Sequence, residues 1–174
     1  EFGEAIINYW KNFVNNVISR EEKPLEEADV VFLNTCSVRE KPEQKVHSAL
    51  GRIHQANPRA VVGVAGCVAQ QLGTELMRRH PQVRLVAGSD GIASAPDAFV
   101  RLLAEPALRL SYLEFTDAYP DRDPCLAAGN GAPDTPVPVA YVNIMQGCDN
   151  FCAYCIVPYT RGPRKSRSTQ AVLD

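Results

Sequence analysis

Three of the six cysteines of this 174-residue chain form a tight cluster near its carboxyl end. Cys148, Cys152 and Cys155 follow the spacing C-x3-C-x2-C, so three thiolates can bind one soft metal centre from a single loop. A structural zinc site needs four protein ligands, and no histidine or further cysteine follows to supply the fourth. Three ligands fit a four-iron cluster better, because one iron then stays open to an exogenous ligand. Zinc binding and plain electron transfer are the alternatives for this triad.

The residues before this cysteine loop predict the element that positions it. Residues 139–145 are rich in β-forming residues and are bounded by Pro138 and Gly147, so we expect a strand there. The cysteines would then follow the carboxyl end of a strand, which is where α/β folds place their chemistry. Further along, Ser168 is a candidate N-cap for a helix through residues 171–173.

Two more cysteines, Cys36 and Cys67, each come shortly after an apolar run. The runs, residues 29–34 and 60–65, have the length and composition of buried parallel strands. The carboxyl ends of parallel strands lie along one edge of a sheet, and neighbouring strands are about 4.8 Å apart, so the two thiols can converge. Without further signals, two such cysteines are more often small core residues.

Strand and helix patterns alternate through the first two thirds of the chain. With short connections between them, they indicate an α/β domain whose parallel sheet is flanked by helices. Further strands are predicted at residues 83–88 and, at an edge of the sheet, at residues 108–115; helices are predicted at residues 4–20, from Pro42 to a stop at Asn57, at residues 68–80 and at residues 96–104.

Proline and glycine are frequent between residues 117 and 137, which is the composition of a linker. We therefore predict an N-terminal α/β domain at residues 1–116 and a second domain that begins at residue 138. Residues 138–174 provide only the first strand and the cysteine loop of that second domain, so we expect the chain to be the front part of a longer protein. Cys125 lies alone in the linker and is predicted to be incidental.

The overall composition narrows the class of protein. Hydrophobic residues make up 45% and charged residues 22% of the chain, which is ordinary for a globular protein. No apolar run approaches the roughly 18 residues that span a bilayer, and no signal-peptide pattern is present. Since nothing indicates secretion, we expect metal ligation in a reducing cytoplasm rather than disulfides. The formal charge of -2 means that any contact with RNA must be local.

The motifs around the cysteines resemble those of radical S-adenosylmethionine (SAM) methylthiotransferases. The C-x3-C-x2-C loop after a first strand is the signature of radical SAM enzymes, and residues 147–162 are similar to the methylthiotransferase branch. The blocks at residues 34–41 and 43–46 resemble the tRNA enzymes of the MiaB type. A third motif at residues 66–70 agrees, and the resemblance runs from about Glu26 to the end.

This resemblance implies two 4Fe–4S clusters. Cys148, Cys152 and Cys155 would hold the cluster whose open iron binds SAM, and an electron from it would cleave SAM to a 5′-deoxyadenosyl radical. Cys36 and Cys67 would be ligands of an auxiliary cluster that supplies sulfur. The family usually takes a third ligand for that cluster from a Tyr-Gly-Cys-type motif, and here no cysteine precedes Cys36.

The resemblance also implies a function, which is the addition of a methylthio group to C2 of N6-isopentenyladenosine next to the anticodon of tRNA. The expected partners are tRNA, SAM and a flavodoxin- or ferredoxin-type electron donor, and a cytoplasmic monomer without membrane contact is expected. Two alternatives stay open. The enzyme could act on threonylcarbamoyl-adenosine or a ribosomal protein, or the chain could be a non-catalytic iron–sulfur module.

A basic run follows the cysteine loop. It comprises Arg161, Arg164, Lys165 and Arg167, with no acidic residue among them. We predict either a solvated charged face or contacts with tRNA phosphates or with the SAM carboxylate. Relatives usually carry a glutamate at the position of Arg164, so the individual roles are left open.

Overall fold

The computed structural model describes residues 25–37, 42–117, 119 and 142–173. The predicted helix at residues 4–20 lies outside the described residues, as do Cys125 and nearly all of the predicted linker. Within the described ranges, no helix is long and apolar enough to cross a membrane.

A four-stranded parallel sheet forms the centre of the fold, which confirms the predicted α/β class. The strands lie side by side in their order along the chain, and the fourth strand lies at one edge, as predicted. The pattern of short apolar runs is sufficient to identify them, because a strand covered on both faces needs apolar side chains at successive positions. The strands are β1 (Val30–Thr35), β2 (Val61–Gly66), β3 (Val83–Ala87) and β4 (Leu110–Tyr112).

Apolar side chains cover both faces of this sheet. Every residue of β2 is buried, and β3 is buried except at its second residue. One layer contains Leu50, Val64 and Leu76, and the other contains Leu85 and Phe99 among its buried residues. The burial of β2 fixes the position of its carboxyl end, from which Cys67 follows.

Helices connect the strands, with one difference from the predicted pattern. The single helix predicted at residues 68–80 is wrong, because the chain forms two shorter helices separated at Gly73 and Thr74. Gly73 has a φ of +55°, a left-handed conformation in which the preceding helix ends. The helices are α1 (Pro42–Ala56), α2 (Cys67–Leu72), α3 (Glu75–Arg79) and α4 (Ala95–Ala104).

Residues 142–173, here called the cysteine-loop unit, form a small structure against the sheet. In the described part of the predicted strand at residues 139–145, only Met145 has strand structure, and it pairs antiparallel with a strand that the sequence did not predict. The helix after Ser168 is confirmed, since the Ser168 hydroxyl accepts a bond from the Ala171 N–H at 3.1 Å. The elements are β5 (Met145–Gln146), α5 (Val157–Arg161), β6 (Lys165–Ser166) and α6 (Thr169–Leu173).

The turn from β2 into α2 requires glycine, which leads to a stability prediction. Gly66 has a φ of +91°, and a Cβ there would lie 2.2 Å from the Thr35 carbonyl oxygen. We expect Gly66→Ala to lower the free energy of unfolding by about 1–3 kcal/mol or more, measured by urea denaturation. Gly51→Ala in α1 is the matched control, since a Cβ there meets nothing within 4 Å. It should raise the same free energy by about 0.4–1 kcal/mol. Equal stability of the two variants would contradict this explanation.

Candidate functional site

Cys36 and Cys67 lie at the same edge of the sheet. Cys36 directly follows β1, and Cys67 begins α2 directly after β2. The two strands are parallel neighbours with Thr35 opposite Gly66, so the predicted proximity of the two strand ends is confirmed. The Thr35 hydroxyl donates to the Ala65 carbonyl at 2.6 Å and links the strands beside the cysteines. Cys36 is exposed, whereas Cys67 is buried.

Helix α5 of the cysteine-loop unit contacts the Cys67 thiol. Burial raises the pKa of this thiol, but hydrogen bonds from the Arg161 guanidinium, the Ser37 backbone and the Thr160 hydroxyl, together with the Arg161 charge, outweigh that effect. The pKa of Cys67 is therefore lower than that of an ordinary thiol. A lowered thiol pKa favours the thiolate, which is the form that binds metals.

The cysteine triad lies on the loop between β5 and α5, and all three of its thiols are free. The backbone N–H of Cys148 donates to the Gly162 carbonyl at 3.1 Å, which fixes the start of the loop against the segment after α5. The N–H of Cys155 donates to the Cys152 carbonyl at 3.0 Å in a tight turn. The N–H of Asn150 points to Cys148 Sγ at 3.5 Å.

The loop fits an iron–sulfur cluster in the kind and number of its donors. It offers three unpaired thiols, and the Asn150 N–H···S contact is of the type that tunes cluster thiolates. Among the described residues, however, no three His, Cys, Asp or Glu side chains are arranged to hold a metal ion. The described part of the chain thus contains the three thiols in one loop, but not in the arrangement of a metal site.

A salt bridge joins the cysteine loop to the basic run. The Asp149 carboxylate accepts the Arg164 backbone N–H at 2.9 Å, and the Arg164 Nε atom lies 3.5 Å from its other oxygen. Both side chains are more than half exposed, so the ionic part contributes little to stability.

A cavity of about 240 Å³ lies where the cysteine-loop unit meets the edge of the sheet. Cys67 and Arg161 both line it, so the sheet edge that carries Cys67 and the helix after the triad border the same cavity. Polar and apolar atoms contribute about equally to its surface, and Cys148, Cys152 and Cys155 do not line it. The other lining residues are Asn34, Thr35, Gly66, Ser89, Ile92, Tyr119, Asn143, Met145 and Gln146.

Asp90, which the sequence did not single out, connects the sheet to the cysteine-loop unit. It lies in the turn after β3 and forms an ion pair with Lys165 of β6, with both side chains only 2% exposed. Its other contacts are the Gln146 amide at 2.5 Å and the Thr116 backbone N–H at 2.8 Å. Burial raises the pKa of Asp90, but the bonds from Lys165, Thr116 and Gln146 hold it below the usual range of a carboxyl group.

The four cations of the basic run do not form one charged face. Lys165 is buried against Asp90, Arg164 pairs with Asp149, and Arg161 contacts Cys67. The Arg167 guanidinium donates to the carbonyl of Asn143 at 3.2 Å and to that of Ala171. Sequence alone does not indicate this division, because the partners of all four residues lie outside the run itself.

Comparisons with known proteins agree with one another. Residues 8–88 match the family described as "Uncharacterized protein family UPF0004". A protein of Lawsonia intracellularis named tRNA-2-methylthio-N(6)-dimethylallyladenosine synthase is 57% identical over 160 residues, which are 88% of this chain and 35% of the relative. Proteins with the same name from Nitratidesulfovibrio vulgaris and Anaeromyxobacter are 60% and 42% identical, over 87% and 91% of this chain and 33% of each relative. The chain thus spans about a third of the length of the relatives it matches.

The contact between Arg161 and Cys67 can be tested in the metal-free chain. We expect Arg161→Gln to shift the pH profile of Cys67 alkylation to higher pH, because the variant loses the cation that favours the thiolate. The measurement is the rate of Cys67 modification by iodoacetamide across a pH series, followed by peptide mass spectrometry. Arg164→Gln is the control, since Arg164 pairs with Asp149 and should leave the profile of Cys67 unchanged. An unchanged profile in Arg161→Gln would rule out this electrostatic contact.

Proposed function

The chain belongs to the methylthiotransferase family, and from this premise we propose that the whole protein modifies tRNA by a radical SAM reaction. The proposed reaction adds a methylthio group to C2 of N6-isopentenyladenosine next to the anticodon. The names of the relatives support this substrate, since three of them at 42% to 60% identity are named tRNA-2-methylthio-N(6)-dimethylallyladenosine synthase. This chain would contribute the N-terminal portion of such an enzyme.

We propose the same division of the chain that its composition indicates. Residues 1–116 would form the N-terminal methylthiotransferase domain, residues 117–137 a linker, and residues 138–174 the start of a radical SAM barrel. The parallel sheet, whose β1–β3 lie within the residues of the UPF0004 match, supports the first assignment. The position of the cysteine triad directly after β5 supports the last.

In this proposal Cys148, Cys152 and Cys155 bind the 4Fe–4S cluster that takes up SAM. When bound, that cluster supplies the electron that cleaves SAM to a 5′-deoxyadenosyl radical. The chain's own contribution is to hold the ligands in one loop. The backbone contacts of Cys148 with Gly162 and of Cys155 with Cys152 maintain the path of the loop, and the Asn150 N–H stabilises charge on Cys148.

Cys36 and Cys67 are proposed as ligands of the auxiliary 4Fe–4S cluster that supplies sulfur. Their placement at the ends of two paired parallel strands puts both thiols at one edge of the sheet. The Arg161 and Thr160 side chains would then orient the Cys67 ligand and favour its thiolate.

The observation that carries the proposal is the meeting of the two cysteine-bearing segments. Helix α5, which follows the triad, reaches Cys67 through Arg161, and both residues line one cavity. An enzyme that uses one cluster to make a radical and another to supply sulfur needs both near a common space. We further propose tRNA, SAM and a flavodoxin- or ferredoxin-type protein as partners of a cytoplasmic monomer.

Iron content tests the ligand assignment directly. We expect anaerobic reconstitution with iron and sulfide to load about four irons on the triad, and up to about eight if the auxiliary site also assembles. Cys148→Ala should lose about four irons relative to the wild-type chain, measured by iron and sulfide analysis. Cys125→Ala is the matched control and should retain the full content. Zinc in place of iron, or equal iron in Cys148→Ala and wild type, would contradict the assignment.

The substrate is tested separately, with the full-length gene. A deletion strain should lack methylthio-isopentenyladenosine in its tRNA, as measured by nucleoside mass spectrometry, and the wild-type gene should restore it. Persistence of that nucleoside in the deletion strain would refute the proposed base. A Cys67→Ala gene should fail to restore the nucleoside to the deletion strain, although the variant protein keeps the iron bound by the triad. This result would support the role of Cys67 in the auxiliary cluster.

A further inference from the structure

The sheet and the cysteine-loop unit are joined by a buried ion pair. Asp90 lies in the turn after β3, Lys165 lies in β6, and the side chains of both are only 2% exposed. Asp90 also binds the Gln146 amide of β5 at 2.5 Å, so one carboxylate contacts both strands of the β5–β6 pair. The Thr116 backbone N–H, on the segment after β4, completes the set at 2.8 Å.

The same turn contacts α5 directly. The Ser89 hydroxyl donates to the Thr160 carbonyl of α5 at 2.8 Å. Ser89 directly precedes Asp90, which binds β5 and β6. Helix α5 packs against α2, which begins at Cys67, and its Arg161 lines the same cavity as Cys67. Thr160 and Arg161 are the residues of α5 that hydrogen-bond the Cys67 thiol. The turn after β3 therefore contacts three elements of the cysteine-loop unit, namely β5, α5 and β6.

The buried pair of Asp90 and Lys165 tolerates little change in its geometry. Its attraction offsets the loss of hydration only when the two groups keep good geometry and their remaining bonding positions are filled. Here Gln146 and Thr116 fill positions on the carboxylate, and the Thr116 hydroxyl lies 3.4 Å from the Lys165 Nζ atom. A shift of β6 along the sheet edge would leave the Lys165 charge buried without its counter-charge.

We infer that Asp90 is a positioning residue, which holds β5 and β6 so that Thr160 and Arg161 lie over Cys67. Asp90 is not among the residues that line the cavity, and it acts through Lys165 and Gln146. The inference rests on the proposed function in one respect only, which is the role of Cys67 as a cluster ligand. Its geometric content can be tested in the metal-free chain, so that failure of the cluster assignment and failure of this inference are distinguishable.

The test compares the local protection of Cys67 with the protection of the sheet core. In Asp90→Asn, Lys165 is left buried without its counter-charge, so the cysteine-loop unit should separate more often from the sheet edge. We expect the rate of Cys67 alkylation by iodoacetamide, measured by peptide mass spectrometry, to rise at least about tenfold. The rate is measured above the ordinary thiol pKa of about 8.5, so that loss of the Arg161 contact does not offset the gain in access. Hydrogen exchange of the β2 and β3 amides should stay within about twofold of the wild type, since their core contacts do not involve Asp90.

Two further variants keep the test decisive if Asp90→Asn folds poorly. Asp90→Asn combined with Lys165→Met removes both charges, so its Cys67 alkylation rate should fall back toward that of the wild type. Glu75→Gln removes an exposed ion pair of α3 with Arg78 and Arg79 and should change neither readout. The inference is overturned if Cys67 alkylation in Asp90→Asn stays within about twofold of the wild type. It is equally overturned if Cys67 and the β2 amides lose protection together, because Asp90 would then support the fold as a whole.

Discussion

Within the described residues, the buried charge pair between Asp90 and Lys165 joins the sheet to the cysteine-loop unit, and we infer that the position of this unit depends on it. The sheet and the cysteine-loop unit each have their own pattern of backbone bonds, and these patterns do not determine how the two fit together. A charge pair with both side chains only 2% exposed is stable in few geometries, so it selects one. That geometry places α5 against Cys67 and closes the cavity between them.

The parallel sheet supplies the second constraint. Parallel strands present their carboxyl ends at one edge, so residues that are far apart in sequence come together there without any local motif. Cys36 and Cys67 are separated by a helix and a strand, yet they follow two directly paired strands. The turn after β3, at the same edge, carries Ser89 and Asp90, which bind the cysteine-loop unit. One edge of the sheet thus provides both the candidate ligands and the attachment of the triad.

Sequence patterns predict the strands and helices along the chain, but they do not predict contacts between residues that are distant in sequence. Strands β1 to β3 follow from apolar runs, but β1 is only partly buried, unlike the buried strand that its apolar run predicts. The adjacency of the strand ends that precede Cys36 and Cys67 follows from parallel pairing. The break at Gly73 was missed, because the helical spacing of apolar residues continues across it. The pairing of Lys165 was missed as well, since a lysine in a basic run looks solvated until its partner, 75 positions away, is known. The antiparallel β5–β6 pair, only two residues long in each strand, is too short to give a periodic signal.

The roles that we propose for the two cysteine sets differ, with SAM binding at the triad and sulfur supply at the sheet edge that carries Cys36 and Cys67. Electron paramagnetic resonance of the reduced, reconstituted chain with and without SAM tests this division most directly. The wild-type chain and Cys67→Ala should both show a change in the signal when SAM is added, and Cys148→Ala should show none. A SAM-induced change that persists in Cys148→Ala, or that disappears in Cys67→Ala, would contradict the division.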